Sequence, residues 1–247
     1  MSASYTIIIP ARYASTRLPG KPLLDIHGKP LIQHVYEACC ATSAGNIWIA
    51  TDDERIAEAA TSFGAEAVMT SSKHESGTDR LAEMIKLKQL ADDEIIVNVQ
   101  GDEYGLPPQL IEQVANGLHD NPTASVATLC EAINDEQDYL DPNVVKVVFD
   151  RNHYALYFSR SPLPANRAGG MPDSVYRHIG LYAYRAGYLC EFSKWPPGRL
   201  EQNEALEQLR VLEHGDRIYV AIASAESGVG IDTAADLERV RAAKKSI

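Results

Sequence analysis

No acidic residue precedes Asp25, although the chain of 247 residues carries a formal net charge of −11. That overall balance excludes the broad basic face a nucleic-acid binder needs. No apolar run approaches the length of a membrane span, and the N-terminus lacks a signal-peptide pattern, so no membrane insertion is expected. Low-complexity tracts and repeat periods are also missing. Cysteine is scarce: Cys39, Cys40, Cys130 and Cys190 fit no zinc spacing, and adjacent Cys39 and Cys40 point apart in a helix-like stretch. Reduced thiols in a cytoplasmic protein are the expectation.

What is present is alternation. Residues 5–10 read as a buried strand, 30–40 as a helix, 46–50 as a strand and 53–64 as a helix stopped at Gly64. Strand 65–70, helix 79–90, strand 94–100 and a proline-led helix at 107–119 follow. Strands without polar alternation, each followed by a helix, predict a mostly parallel α/β sheet covered on both faces, Rossmann-like in organisation. The second half is less regular, with strands in "ASVATL", "VVKVVF", "YALYFSR" and "RHIGLYAYR" and a flexible segment at 164–173. A helix at 203–215, a strand at 217–223 and a closing helix at 232–245 complete the chain. This pattern predicts a single domain over 1–247, with a mixed lobe inserted at about 130–205.

The acid-free N-terminal segment acquires meaning from that architecture. Open parallel sheets bind ligands outside the carboxyl ends of their strands. Arg12, Arg17 and Lys21 follow the first strand, so they stand at that mouth. Three cations with no counter-charge nearby in sequence repel one another until an anion joins them, and charge-assisted hydrogen bonds contribute roughly 1.5–3 kcal/mol each. The pattern fits a polyphosphate. It is not a P-loop, because Pro22 follows Lys21 where Ser or Thr is required. "GVGIDT" (228–233) imitates a dinucleotide fingerprint, but Thr233 occupies the third glycine position and only one helix follows.

"IPARYASTRLPGKPL" closely resembles the N-terminal signature of the 3-deoxy-manno-octulosonate (Kdo) cytidylyltransferases, or CMP-Kdo synthetases. "ATDDERI", "SGTDRLAE", "NVQGDE", "NVVKVVFD", "YALYFSR", "RHIGLYAYRAG", "LEQLRVLEHG" and "IDTAADLERVR" resemble the same family, in order, along almost the whole chain. The resemblance implies a nucleotide-diphospho-sugar transferase-like fold with a smaller sugar-binding and dimerisation lobe. It implies attack of the anomeric hydroxyl of Kdo on the α-phosphate of CTP, releasing pyrophosphate, as a step toward lipopolysaccharide. It also implies Mg²⁺ as cofactor and a homodimer.

Residue by residue, the resemblance assigns Arg12, Arg17 and Lys21 to the triphosphate, and Ser76, Gly77 and Arg80 to the nucleotide base. It assigns Asp102 and Asp232 to magnesium, and Gln100, Arg160, His178, Glu207 and Gln208 to the sugar acid. Arg12, Lys21, Asp102 and Asp232 thereby form the catalytic set. Read on spacing alone, Asp232 is a helix cap, with a competing capping box at Thr233 and Asp236; likewise Asp79 or Thr78 would cap the helix after "ESG". The metal assignment agrees with elementary electrostatics. Two carboxylates about 4 Å apart repel by roughly 4 kcal/mol at an effective dielectric near 20, and a shared cation reverses that. Magnesium takes a few carboxylates together with phosphate oxygens and water.

One departure stands out. The family usually has Pro and a bulky apolar residue directly after "QGDE", whereas this chain has Tyr104-Gly105. Glycine widens backbone freedom, so a loosened loop is expected there, with Tyr104 over the sugar pocket or its rim and with Pro-Leu stabilising it. Sugar choice therefore stays open between Kdo and 8-amino-3,8-dideoxy-manno-octulosonate. CMP-sialate synthetases fit less well, because their first loop lacks the "RLPGKP" ending. A non-catalytic nucleotide-binding module is the reading from another class, and it would be marked by loss of a metal carboxylate or a triphosphate cation.

Overall fold

The computed structural model describes residues 3–14, 18–74 and 76–243. In chain order its strands are β1 (Tyr5–Ala11), β2 (Asp25–Ile26), β3 (Lys29–Pro30), β4 (Asn46–Thr51), β5 (Glu66–Met69), β6 (Ile95–Asn98) and β7 (Glu103–Tyr104). They continue as β8 (Val126–Ala132), β9 (Lys146–Phe149), β10 (Ala155–Ser159), β11 (Tyr176–Arg185), β12 (Ile218–Ile222) and β13 (Val229–Gly230). The α-helices are α1 (Leu31–Cys40), α2 (Glu54–Ser62), α3 (Gly77–Lys88), α4 (Pro108–Asp120) and α5 (Glu136–Leu140). After them come α6 (Ala186–Phe192), α7 (Arg199–Glu204), α8 (Leu209–Glu213) and α9 (Ala234–Ala242). No helix among the described residues is long and apolar enough to cross a membrane.

The parallel core runs β5-β4-β1-β6. Every residue of β1 is buried, because both faces of the sheet are covered. Ile7 and Ile9 pack into one core with α1 and α4, while Ile8 faces the opposite core with Leu81, Met84 and Ile85 of α3. Val97 and Ile96 of β6 divide the same way. Unbroken apolar runs are what such two-sided burial demands. All four strands send their carboxyl ends to one mouth, where the loops carrying Arg12, Asp52, Ser76 and Asp102 begin.

β11 extends the sheet in the opposite direction. It lies antiparallel to β6 through residues 182–185, to β9 through 176–177 and to β8 along most of its length; β12 then pairs parallel with β8. Within the stretch 130–205, β11 therefore runs inside the main sheet, while the β9–β10 hairpin lies beside its N-terminal half.

Two local expectations change. The helix expected at 203–215 is two short helices, broken at Ala205, which adopts a left-handed φ of 51°. Arg160 ends α7 by donating Nε to Glu204 O (2.7 Å) and an Nη to Ala205 O (3.3 Å), and Arg210 grips Glu201 through two hydrogen bonds. The break leaves Glu207 and Gln208 on a turn rather than on a helix face.

The Tyr104-Gly105 loop is not loosened. β7 pairs antiparallel with β13, Tyr104 opposite Val229 and Glu103 opposite Gly230. The Tyr104 ring sits edge-on to His34 of α1, 5.1 Å between centroids, and packs against the core rather than over a pocket. Gly105 has φ +72°, and a Cβ on Gly228 would meet Tyr104 O at 2.5 Å, so the ribbon is built around two glycines. Gly105→Leu is accordingly expected to destabilise the protein by about 1–2 kcal/mol, the left-handed penalty for an L-residue. Chemical denaturation checks it; a stabilised variant would restore the flexible-loop reading.

Candidate active site

A cavity of about 270 Å³ opens at the mouth of the parallel strands, lined by Pro10, Arg12, Lys21, His74, Ser76, Gly77, Arg80, Gln100, Asp102 and Asp232 among others. Every nucleotide or metal residue expected from the sequence is in that lining except Arg17, which lies outside the described residues.

Lys21 is the centre of the charge arrangement. Its Nζ donates to Asp102 Oδ2 at 2.6 Å and to Asp232 Oδ1 at 2.9 Å. Burial pulls the ammonium's pKa down, but the two carboxylates outweigh it and leave it above the ordinary lysine value. Residues 130 positions apart meet here because β7 follows Asp102, β13 precedes Asp232, and Ile231 N–H donates to Asp102 O at 3.1 Å. The negative charge is dense: Glu103 is pushed up to about 7 by burial and by the neighbouring Asp102 and Asp232.

Asp232 does not cap α9. Thr233 does, its Oγ1 accepting from Asp236 N–H while Asp236 accepts back from Thr233 N–H, and this capping box leaves the Asp232 carboxylate facing Lys21. α3 begins the same way, with Ser76 rather than Thr78 or Asp79 as the cap and Asp79 as its reciprocal partner. The chain thus presents the N-terminus of α3 to the cavity.

Arg80 is buried, with one Nη donating to Thr70 Oγ1 and the other to Asp52 Oδ2 at 3.0 Å. His74 was not anticipated; its Nε2 lies 2.5 Å from Glu83 Oε2, which also accepts from Ser71 N–H. The available signal was position, since His74 lies in the loop after β5, whose carboxyl end opens on the same mouth.

A second cavity, about 530 Å³, shares Ser76 with the first and is lined by Asp79, Trp195, Glu201, Glu207 and Arg210. Glu207 Oε2 accepts from Thr78 Oγ1 at 2.7 Å; burial raises its pKa, opposed by Thr78 and Arg210. Gln208 is buried and its Nε2 has no hydrogen-bond partner. An orphaned buried donor of this kind costs about 1–3 kcal/mol.

Arg160, His178 and Gln208 line neither cavity. All three guanidinium nitrogens of Arg160 donate to backbone carbonyls, of Glu204, Ala205 and Pro142. His178 on β11 lies 3.0 Å from Thr128 Oγ1 and edge-on to Phe158, and burial pushes its pKa down to about 3. The folded state therefore holds His178 neutral, whereas the unfolded chain takes up a proton below about pH 6.5. That contribution to stability is present above pH 6.5 and is lost as pH falls toward 3. His178→Gln should lose less stability between pH 7 and pH 5 than the parent in urea titrations; equal losses would contradict the burial.

The chain is similar to known proteins along nearly its whole length. A family model described as Cytidylyltransferase matches residues 6–218. The 3-deoxy-manno-octulosonate cytidylyltransferase of Hahella chejuensis (strain KCTC 2396) is 53% identical over 248 residues, spanning 97% of each chain. Its counterpart from Idiomarina loihiensis is 52% identical over 246 residues, 96% of this chain and 97% of the relative. A solved CMP:2-keto-3-deoxy-manno-octonic acid synthetase complexed with CTP superposes with a TM-score of 0.90 at 46% identity, covering 97% of this chain and 98% of its own. At that identity and coverage, the chain belongs to the cytidylyltransferase family and, within it, to the 3-deoxy-manno-octulosonate cytidylyltransferases.

Proposed function

We propose that this chain joins CTP and Kdo to give CMP-Kdo and pyrophosphate. The observation that carries the reading is the Lys21 ammonium held between Asp102 and Asp232 at the strand mouth, in one cavity with Arg12, Arg80 and Gln100. The reaction makes one bond, from the anomeric oxygen of Kdo to the α-phosphorus, and breaks the bond from that phosphorus to the pyrophosphate oxygen. Arg12 and Lys21, with Arg17, neutralise the triphosphate and the departing pyrophosphate, which is where charge builds in phosphoryl transfer. The Ser76–Gly77 backbone and Arg80 read the base, Arg80 being pinned for that task by Asp52 and Thr70. Gln100 and Glu207 meet the sugar from the two cavities, and Gln208 belongs to the sugar set through the turn it shares with Glu207. Arg160 and His178 complete the sugar set from behind, Arg160 by fixing the turn that carries Glu207 and Gln208, and neutral His178 by packing β11 against Thr128 and Phe158.

The residues present fit a magnesium ion. Asp102 and Asp232 already share one cation, and both offer hard oxygen donors. Among the described residues no cluster of three or more metal-ligating side chains occurs. Two carboxylates are the complement magnesium uses when substrate phosphates and water supply the rest. Asp102 and Asp232 would hold it, and when bound it supplies positive charge to the reacting phosphate and acidifies a nearby hydroxyl.

A homodimer through the β9–β10 lobe, where Leu156 of β10 is exposed, and a cytoplasmic place in lipopolysaccharide synthesis complete the proposal. The relatives named for the unsubstituted octulosonate favour Kdo over its 8-amino form, and the presence of Arg12, Lys21, Asp102 and Asp232 disfavours a non-catalytic module. Pyrophosphate release from CTP with Kdo, 8-amino-Kdo or sialic acid tests the reading. Kdo should be preferred by a wide margin, and a preference for either other sugar would overturn it.

A further inference from the structure

Arg12 and Lys21 are nine residues apart in sequence, yet both must stand at fixed places around one triphosphate. The chain leaves at Tyr13 and returns at Gly20, and these two residues touch. Gly20 N–H donates to Tyr13 O at 3.0 Å, and a Cβ on Gly20 would lie 3.1 Å from the Tyr13 ring. Tyr13 thus covers Gly20 with its ring; a side chain at position 20 would push the ring back by a few tenths of an ångström and strain the backbone, whose φ is +70°. The ring also lies beneath the guanidinium of Arg55, whose Cζ is 3.3 Å from the ring centroid. Arg55 is in turn oriented by Asp53, through Nε to Oδ1 at 2.9 Å and Nη2 to Oδ2 at 2.7 Å. Asp53 is the N-cap of α2, accepting Arg55 N–H at 3.0 Å.

We propose that Tyr13 and Arg55 form a clasp that fixes the separation of Arg12 and Lys21 and so sets affinity for the triphosphate; both are positioning residues, acting through the two cations that flank the clasp. This rests on the CTP-dependent reading above. The chain of supports is continuous: helix cap, carboxylate, guanidinium, aromatic ring, glycine, lysine. A planar guanidinium over a ring face is a favourable electrostatic and stacking contact, and lysine does not reproduce its plane. Neither Tyr13 nor Arg55 needs to touch a substrate for this to work.

The clasp predicts an effect confined to one substrate. Arg55→Ala should raise KM for CTP by about two- to fivefold, the range of an exposed cation–π contact, with KM for Kdo unchanged. Tyr13→Ala removes the ring from between its two neighbours and should raise KM for CTP by about tenfold. Tyr13→Phe keeps the ring and should recover most of that loss, whereas Arg55→Lys should resemble Arg55→Ala. The measurement is pyrophosphate release with each substrate varied in turn, alongside melting temperatures. Unchanged KM for CTP in both alanine variants overturns the clasp, as does an equal rise for both substrates, which would mark a general structural role. A Tyr13→Phe enzyme as poor as Tyr13→Ala also overturns it, since the hydroxyl and not the ring would then be the working group. Failure of the parent protein to turn over CTP with Kdo would instead strike the functional reading, so the two failures are distinguishable.

Discussion

Asp102→Asn should lose turnover by about a hundred- to a thousandfold, the range seen when one electrostatic contributor to a transition state is removed. The substitution keeps shape and removes charge. Asp102 is partly exposed and its main structural bond is to Lys21, so melting should move by no more than about 4 °C. Asp232→Asn should behave alike. Because Thr233 and Asp236 cap α9 by themselves, a loss of activity at Asp232 cannot be ascribed to a frayed helix. Single-turnover assays across a magnesium titration decide the matter. Near-normal turnover in either variant with magnesium bound would remove that carboxylate from the catalytic set.

Lys21→Ala should lower kcat/KM for CTP by about a hundredfold while leaving KM for Kdo within a few-fold. Its second expected effect is on the protein without substrate. The ammonium neutralises Asp102 and Asp232, and without it those carboxylates and Glu103 crowd one another. Magnesium should then raise the melting temperature of Lys21→Ala more than that of the parent, because ion and ammonium compete for the same oxygens. Equal magnesium shifts would mean that the ion and Lys21 occupy separate places.

The first half of the fold was legible because two-sided burial writes itself into sequence. Residues 5–10, 46–50 and 94–100 read as strands through their unbroken apolar runs, and β1, β4 and β6 fall there. The basic residues after β1 also mark the mouth of the sheet in the sequence itself. What sequence could not carry was decided by distant side chains. Nothing between 203 and 215 breaks a helix by propensity; Ala205 does so because Arg160, forty-five positions earlier, takes its carbonyl. Tyr104-Gly105 read as freedom because its partner strand lies 125 residues on. The Asp52 and Thr70 grip on Arg80, and the Glu83 partner of His74, likewise join residues that no local pattern connects.

The ribbon of β7 and β13 has a further consequence for the order in which the protein becomes competent. Lys21 and Asp232 are 211 residues apart, and this late pairing, with the Ile231 N–H bond to Asp102 O, brings the second carboxylate to the first. Contacts of such long separation form slowly, since chain closure precedes any gain from them. During synthesis the first parallel strands and the cations can assemble long before residue 232 exists. Until residue 232 is made, the nascent chain holds Arg12, Lys21 and Asp102 but lacks the second carboxylate. Stopping translation before residue 228 should yield chains that bind CTP weakly and release no pyrophosphate. Supplying residues 225–243 in trans should then restore pyrophosphate release, since they bring Asp232 together with the core side chains Ile231, Leu237 and Val240.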